Sequence, residues 1–430
     1  MFPGSLMMGA QDRLLPPSLP NRFFAAAVVF HLLAWAALLA ADPAEAVGFL
    51  GGQGLVLAAL HLVTLGVLAM TAMGAAIQLL PVATRKRLGP VWLCHVMFWL
   101  TVPGVAALAL GFWLAQPGLQ HLGATLAIAG LTVFAVMVAS NLRNVADLVG
   151  VTRHSWLALA SLAGLSVLGL MLVIDFTAGF LPNRAGVAAA HAVLAGYGFM
   201  GMLALGFSTV LIPMFVLGQA VPEAIGRRSS ALAGTGLVLG AGGTLFGLGW
   251  LSALGLVFGG AALAVHLKGM AASLKSRMRK RLEPFFRMVW VGWALLLVSL
   301  AAGLALALGA PVSPVATLWG FLLVFGWLLT FVTGILQRIV PFLASMHTSG
   351  TGKPALLSAL TPGLPLKVHF ACHLAALALI SAAILSGWTP AFRLGAAAGL
   401  AGAVAFTAFA IEVMRRFRAH LAAYASPPVK

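Results

Sequence analysis

The stretch HLVTLGVLAMTAMGAAIQLLPV, His61–Val82, decides how this chain folds. It is apolar, long enough to cross a hydrocarbon layer about 30 Å thick, and it opens on a histidine. It closes on a glycine followed seven residues later by a proline, Gly74 and Pro81. The same ending returns at Gly206/Pro213 in HAVLAGYGFMGMLALGFSTVLIPMF and at Gly334/Pro341 in TLWGFLLVFGWLLTFVTGILQRIVPF. The prolines stand 132 and 128 residues apart, and intervals of that length have room for four membrane crossings each. The 430 residues therefore divide into three repeats, about 20–145, 150–270 and 285–418. His61 heads the first copy and His191 the second, about twenty residues before the proline, whereas the third carries Trp319 and Phe321 there.

Composition identifies the solvent. With 62% hydrophobic and 8% charged residues, the chain reads as a single all-α membrane domain over 1–430. Twelve apolar spans are expected, near 23–41, 52–82, 91–114, 121–140, 156–178, 187–217, 230–249, 251–268, 288–309, 314–343, 368–387 and 392–413, in three pseudo-equivalent groups of four. Long unbroken apolar runs, without two-residue alternation, argue against a β-barrel. The longest polar connection, His347–Lys367, is too short for a soluble domain.

The net charge of +17 comes from basic residues in alternate connections, from Arg85, Lys86 and Arg87 through the 268–287 segment to Arg415, Arg416 and Arg418. Such a bias orients a membrane protein with its basic loops inside. It predicts a multi-pass protein of a bacterial inner membrane with both termini cytoplasmic. The partner implied is the lipid bilayer, anionic headgroups at 268–287 included, and no nucleic acid. Met1–Arg22 is polar and lacks the pattern of a cleavable leader, so the first helix is expected to stay.

Chemistry must then lie within the membrane. Two cysteines make no disulfide framework, but each precedes a histidine: Cys94-His95, and Cys372-His373 with His369 four residues before the second histidine. Thiolate and imidazole suit Cu(I) or zinc; inherited packing or interfacial residues are the plainer reading of both pairs. His61, His191 and His31, the last eleven residues before Asp42, carry more weight. An ionisable side chain at membrane depth is costly unless it pairs or faces a cavity. A neutral imidazole is a good axial ligand for heme iron; the alternative is a histidine bonded to a backbone carbonyl between helices. Carboxylate pairs, phosphate loops and nucleophile-base pairs are missing from the sequence, which disfavours hydrolysis and group transfer.

Twelve spans in three groups, with a histidine early in spans two and six, resemble subunit I of the heme-copper oxidase and nitric oxide reductase superfamily. They are also similar to the NnrS family of heme and copper proteins. The resemblance implies a b-type heme on His61, with His31 or a non-histidine ligand opposite, and copper at His191. It implies work in respiratory or nitric-oxide-related electron handling. The chain departs from the pattern where the oxidases place most of their binuclear ligands: span seven and span ten hold no histidine between Ser229 and Trp250 or between Thr317 and Pro341. The His-x-His-Glu signature of NnrS is also missing. Oxygen reduction is therefore not expected. The competing readings are a cofactor-free accessory protein of a respiratory or denitrification complex, and a transporter of a small molecule or metal.

Overall fold

Each apolar run becomes a helix because a chain in lipid must satisfy its own backbone polar groups. The computed structural model describes residues 15–349 and 353–424. The first residues of the leader reading, and the terminal positions Met1 and Lys430, lie outside that range.

Among the described residues there are twelve long helical elements and no strand: α1 Ser18–Ala40, α2 Leu55–Thr84, α3 Val91–Trp113, α4 Pro117–Leu142, α5 Val149–Ala178, α6 Arg184–Val216, α7 Glu223–Leu245, α8 Gly249–Lys275, α9 Phe285–Ala307, α10 Val312–His347, α11 Gly363–Ser386 and α12 Thr389–Ala423. Eleven are long and apolar enough to cross a membrane; α7 falls short of that apolarity. Its sequence EAIGRRSSALAGTGLVLGAGGTL starts with charged residues and is diluted by glycine.

Small residues set the helix pairing. α3 and α4, α7 and α8, and α11 and α12 form close antiparallel hairpins. A Cβ on Gly104 would lie 2.6 Å from the backbone nitrogen of Ala127, so only glycine lets α3 and α4 approach this closely. α12 packs on α1 and closes a ring around α2, α6 and α10. These three inner helices meet along π-helical segments, Leu62–Ala69, Leu194–Met200 and Leu322–Leu329. The segments start 132 and 128 residues apart, the same intervals as the prolines. In α10 every residue from Phe321 to Pro341 is buried.

The ring and inner helices enclose three bays. Bay one lies between α2 and α6, walled by α3, α4 and α5. Bay two lies between α6 and α10, walled by α7, α8 and α9. Bay three lies between α10 and α2, walled by α11, α12 and α1. The helix ends nearest the termini come together: His347 Nε2 bonds the Leu15 carbonyl at 3.1 Å, and the Lys353 ammonium lies 5.4 Å from the Tyr424 ring centroid. On that side Arg338 of α10 is buried and paired with Glu283 at 2.8 Å, while Arg279 also bonds Glu283.

Candidate functional site

Histidines occupy all three bays. In bay one, His61 ends the α-helical start of α2 and His191 sits one turn before the π segment of α6. His61 Nδ1 donates to the Leu57 carbonyl at 2.9 Å, and His191 Nδ1 donates to the Leu165 carbonyl of α5 at 2.9 Å. These bonds fix one tautomer, with the lone pair on Nε2. Neither Nε2 has a protein hydrogen bond among the described residues. Both rings belong to the same bay, His61 against α3 and His191 against α5, whose Phe112 and Phe176 rings stand 6.1 Å apart. Phe112 flanks His61 with ring centroids 4.8 Å apart. A Cβ on Gly169 would lie 2.9 Å from His191 Cε1, so that glycine makes room for the ring.

Bay three gathers His31, His369 and His373, all buried. The His31 and His369 centroids are 6.0 Å apart, and those of His369 and His373 5.6 Å. Trp35 Nε1 donates to His31 Nε2 at 3.1 Å, His369 Nδ1 donates to the Gly402 carbonyl at 3.0 Å, and His373 Nε2 bonds Thr330 Oγ1 at 2.7 Å. His31 Nδ1 and His369 Nε2 are buried without a partner. Aromatic side chains fill the space around them: Trp35 and Phe325 have centroids 5.2 Å apart, and Phe406 lies 5.0 Å from His369.

The structure thus places His61 and His191 in one bay and groups His31 with His369 and His373 in another, and it does not bring His61 and His31 together. The Cys-His pairs also separate. Cys94 is buried and its carbonyl accepts from Arg22 Nη2 at 2.8 Å, while Arg22 Nη1 bonds His95 Nδ1 at 2.9 Å. Cys372 is half-buried, and its neighbour His373 turns into the core toward Thr330. Among the described residues no cluster of three or more His, Cys, Asp or Glu side chains has the arrangement of a metal site.

Two further histidines lie in or beside bay two, and the sequence reading did not single them out. His154 of α5 bonds Ser229 Oγ of α7 at 3.1 Å, and His266 of α8 bonds Ser208 Oγ of α6 at 3.1 Å. Each is one imidazole and one hydroxyl on different helices, a spacing no local motif records. Farther from the termini, bay two opens into a chamber of about 350 Å³. Its walls are glycines and aliphatic side chains of α7, α8 and α9, faced by Tyr197 of α6 and by Trp319 and Trp327 of α10. No imidazole lines it. On the central axis, α2, α6 and α10 leave a void of about 70 Å³ touched by Thr71 and Ser208.

No protein-family model matches the sequence, and no curated protein matches it. Among solved structures the chain is similar to a heme-copper terminal oxidase, determined by cryo-electron microscopy as a dimer. The two align with a TM-score of 0.53 at 13% identity, over 97% of this chain and 86% of that one. The chain therefore has the fold of a heme-copper oxidase and is a multi-pass helical membrane protein.

Proposed function

We propose that this oxidase-fold protein binds copper(I) through His61 and His191 in bay one and serves a respiratory or denitrification complex as an accessory, without reducing oxygen itself. The observation that carries the reading is the matched pair of tautomers. Each imidazole gives its Nδ1 proton to a backbone carbonyl, the orientation metal-ligating histidines adopt, which leaves Nε2 free to coordinate. Imidazole suits copper, and copper(I) accepts few ligands. A zinc site would ask for three or four protein ligands.

A b-type heme fits less well. It needs an axial nitrogen and a slot for its ring in the same place. The chamber of bay two supplies a slot with no imidazole against it, and the aromatic packing of bay three surrounds its histidines closely. A single ion needs only the nitrogens.

The test is the full-length protein purified under reducing conditions from copper-supplemented cells, with metal analysis, the copper absorption edge and a reduced-minus-oxidised heme spectrum. Copper should be retained at about one per chain, lost in His61→Ala and in His191→Ala, and kept in His31→Ala. An unmodified protein without copper refutes the assignment. A heme spectrum abolished by His61→Ala would replace copper with heme as the ligand of that residue.

A further inference from the structure

We propose that the chamber in bay two binds a flat aromatic alcohol, whose ring lies between the glycine face of α7 and α8 and the tryptophans of α10, and whose hydroxyl donates to Tyr197 Oη. This inference is independent of the copper reading, which concerns another bay.

The glycines of the chamber are of two kinds. A Cβ on Gly236 would meet the Gly255 carbonyl oxygen at 2.8 Å, so Gly236 is required by the close approach of α7 and α8. A Cβ on Gly240 would have nothing nearer than Val193 Cγ1 at 3.9 Å, and one on Gly259 nothing nearer than Leu300 Cδ2 at 3.5 Å. Helix packing does not demand glycine at 240 or 259. Both line the chamber, and a larger side chain at either would occupy it. The volume, about 350 Å³, falls in the range of small-molecule pockets.

Shape and polarity then specify the occupant. On the α7 and α8 wall glycines alternate with aliphatic side chains, and at Gly240 and Gly259 the wall presents only backbone. The facing wall is aromatic, with Trp327 stacked on Tyr197 at 5.7 Å between centroids. A hollow over bare backbone at two positions, with aromatic side chains in its opposite wall, suits a planar ring.

Thr244 and Ser252 also line the chamber, and at Tyr197 the hydrogen bonds run in one direction. Trp319 Nε1 donates to Tyr197 Oη at 3.2 Å, Tyr197 Oη donates to Ser299 Oγ at 3.0 Å, and Ser299 Oγ donates to the Leu296 carbonyl at 2.8 Å. The tyrosine proton is committed and one lone pair remains, so the phenol can accept from a ligand and cannot donate to it. At Tyr197 a hydroxyl-bearing ring satisfies that; a quinone carbonyl or a methyl ether does not. The same chemistry is offered by a lipid hydroquinone and by a water-borne phenol.

The experiment is calorimetric titration of the full-length protein in nanodiscs with a decyl hydroquinone kept reduced, its dimethyl ether, and phenol. The hydroquinone should bind saturably, about tenfold tighter than the ether, the share expected of one hydrogen bond at a buried acceptor. Gly240→Leu should abolish binding, and Tyr197→Phe should erase the preference over the ether. Binding of decyl hydroquinone without phenol identifies a membrane lipid as the source, and binding of both identifies the ring alone. Should Gly240→Leu fail to fold, Gly259→Val blocks the same space. Equal affinity for hydroquinone and ether overturns the proposal. So does undiminished binding in a folded chamber-filling variant.

Discussion

His369→Leu should leave the protein as stable as before or raise its stability, although it removes a fully buried polar side chain. The change deletes the bond from Nδ1 to the Gly402 carbonyl at 3.0 Å, a net loss of about 1 kcal/mol. It also deletes Nε2, a buried acceptor without a partner whose desolvation costs about 1–3 kcal/mol. Leucine occupies a similar volume against Phe406 and His373, so little cavity term arises. The balance favours the variant by about 1 kcal/mol. His373→Leu, one turn along the same face, should behave in the opposite sense. His373 Nε2 has its partner in Thr330 at 2.7 Å, and losing that bond costs about 1 kcal/mol with no orphan relieved at Nε2. Reversible unfolding of both variants in mixed micelles should therefore separate them by about 2 kcal/mol. If His369→Leu proves the more damaging, by about 3 kcal/mol or more, then Nε2 has a bound partner and the hydrogen-bond accounting of bay three is wrong.

Glu283→Leu should destabilise the protein by about 2 kcal/mol in the same assay, because it strands the buried Arg338 guanidinium; the value lies below the 3–5 kcal/mol of a fully buried pair since Glu283 keeps 31% of its side chain exposed. An unchanged midpoint would mean that Arg338 is solvated from the membrane surface. The basic connections predict that reporter tags at Met1 and Lys430 read as cytoplasmic and that one inserted near Glu45 or Arg184 reads as external, and accessibility labelling in whole cells decides it.

Much of the architecture was legible because lipid imposes it. Apolar runs must be helices, and the Gly-to-Pro ending marked α2, α6 and α10, which form the centre of the bundle. The π-helical segments left no trace in the sequence: LVTLGVLA, LAGYGFM and LLVFGWLL share leucine at the start and glycine within, too little to announce a change of hydrogen-bond register. Helix α7 falls short of a membrane span in apolarity because glycine and charge dilute it, and part of that glycine lines the chamber.

The histidines show where a pattern along the chain fails to give a site in space. His61 precedes its proline by twenty residues and His191 by twenty-two. Read as heights, those numbers are nearly equal, and the two imidazoles look like symmetric copies. Read as angles, two residues are about 200° of helical rotation. Exact equivalence would have aimed the side chains of α2 and α6 at different bays. The offset turns His191 toward α5, where Leu165 accepts its proton, and so into the bay that His61 already faces. The Gly-to-Pro endings return at nearly regular intervals, whereas the two histidines differ by two residues in their distance from that ending. A substitution that moves His191 by two positions, exchanging it with Val193, should keep the fold and separate the pair, with copper lost and the helical spectrum unchanged.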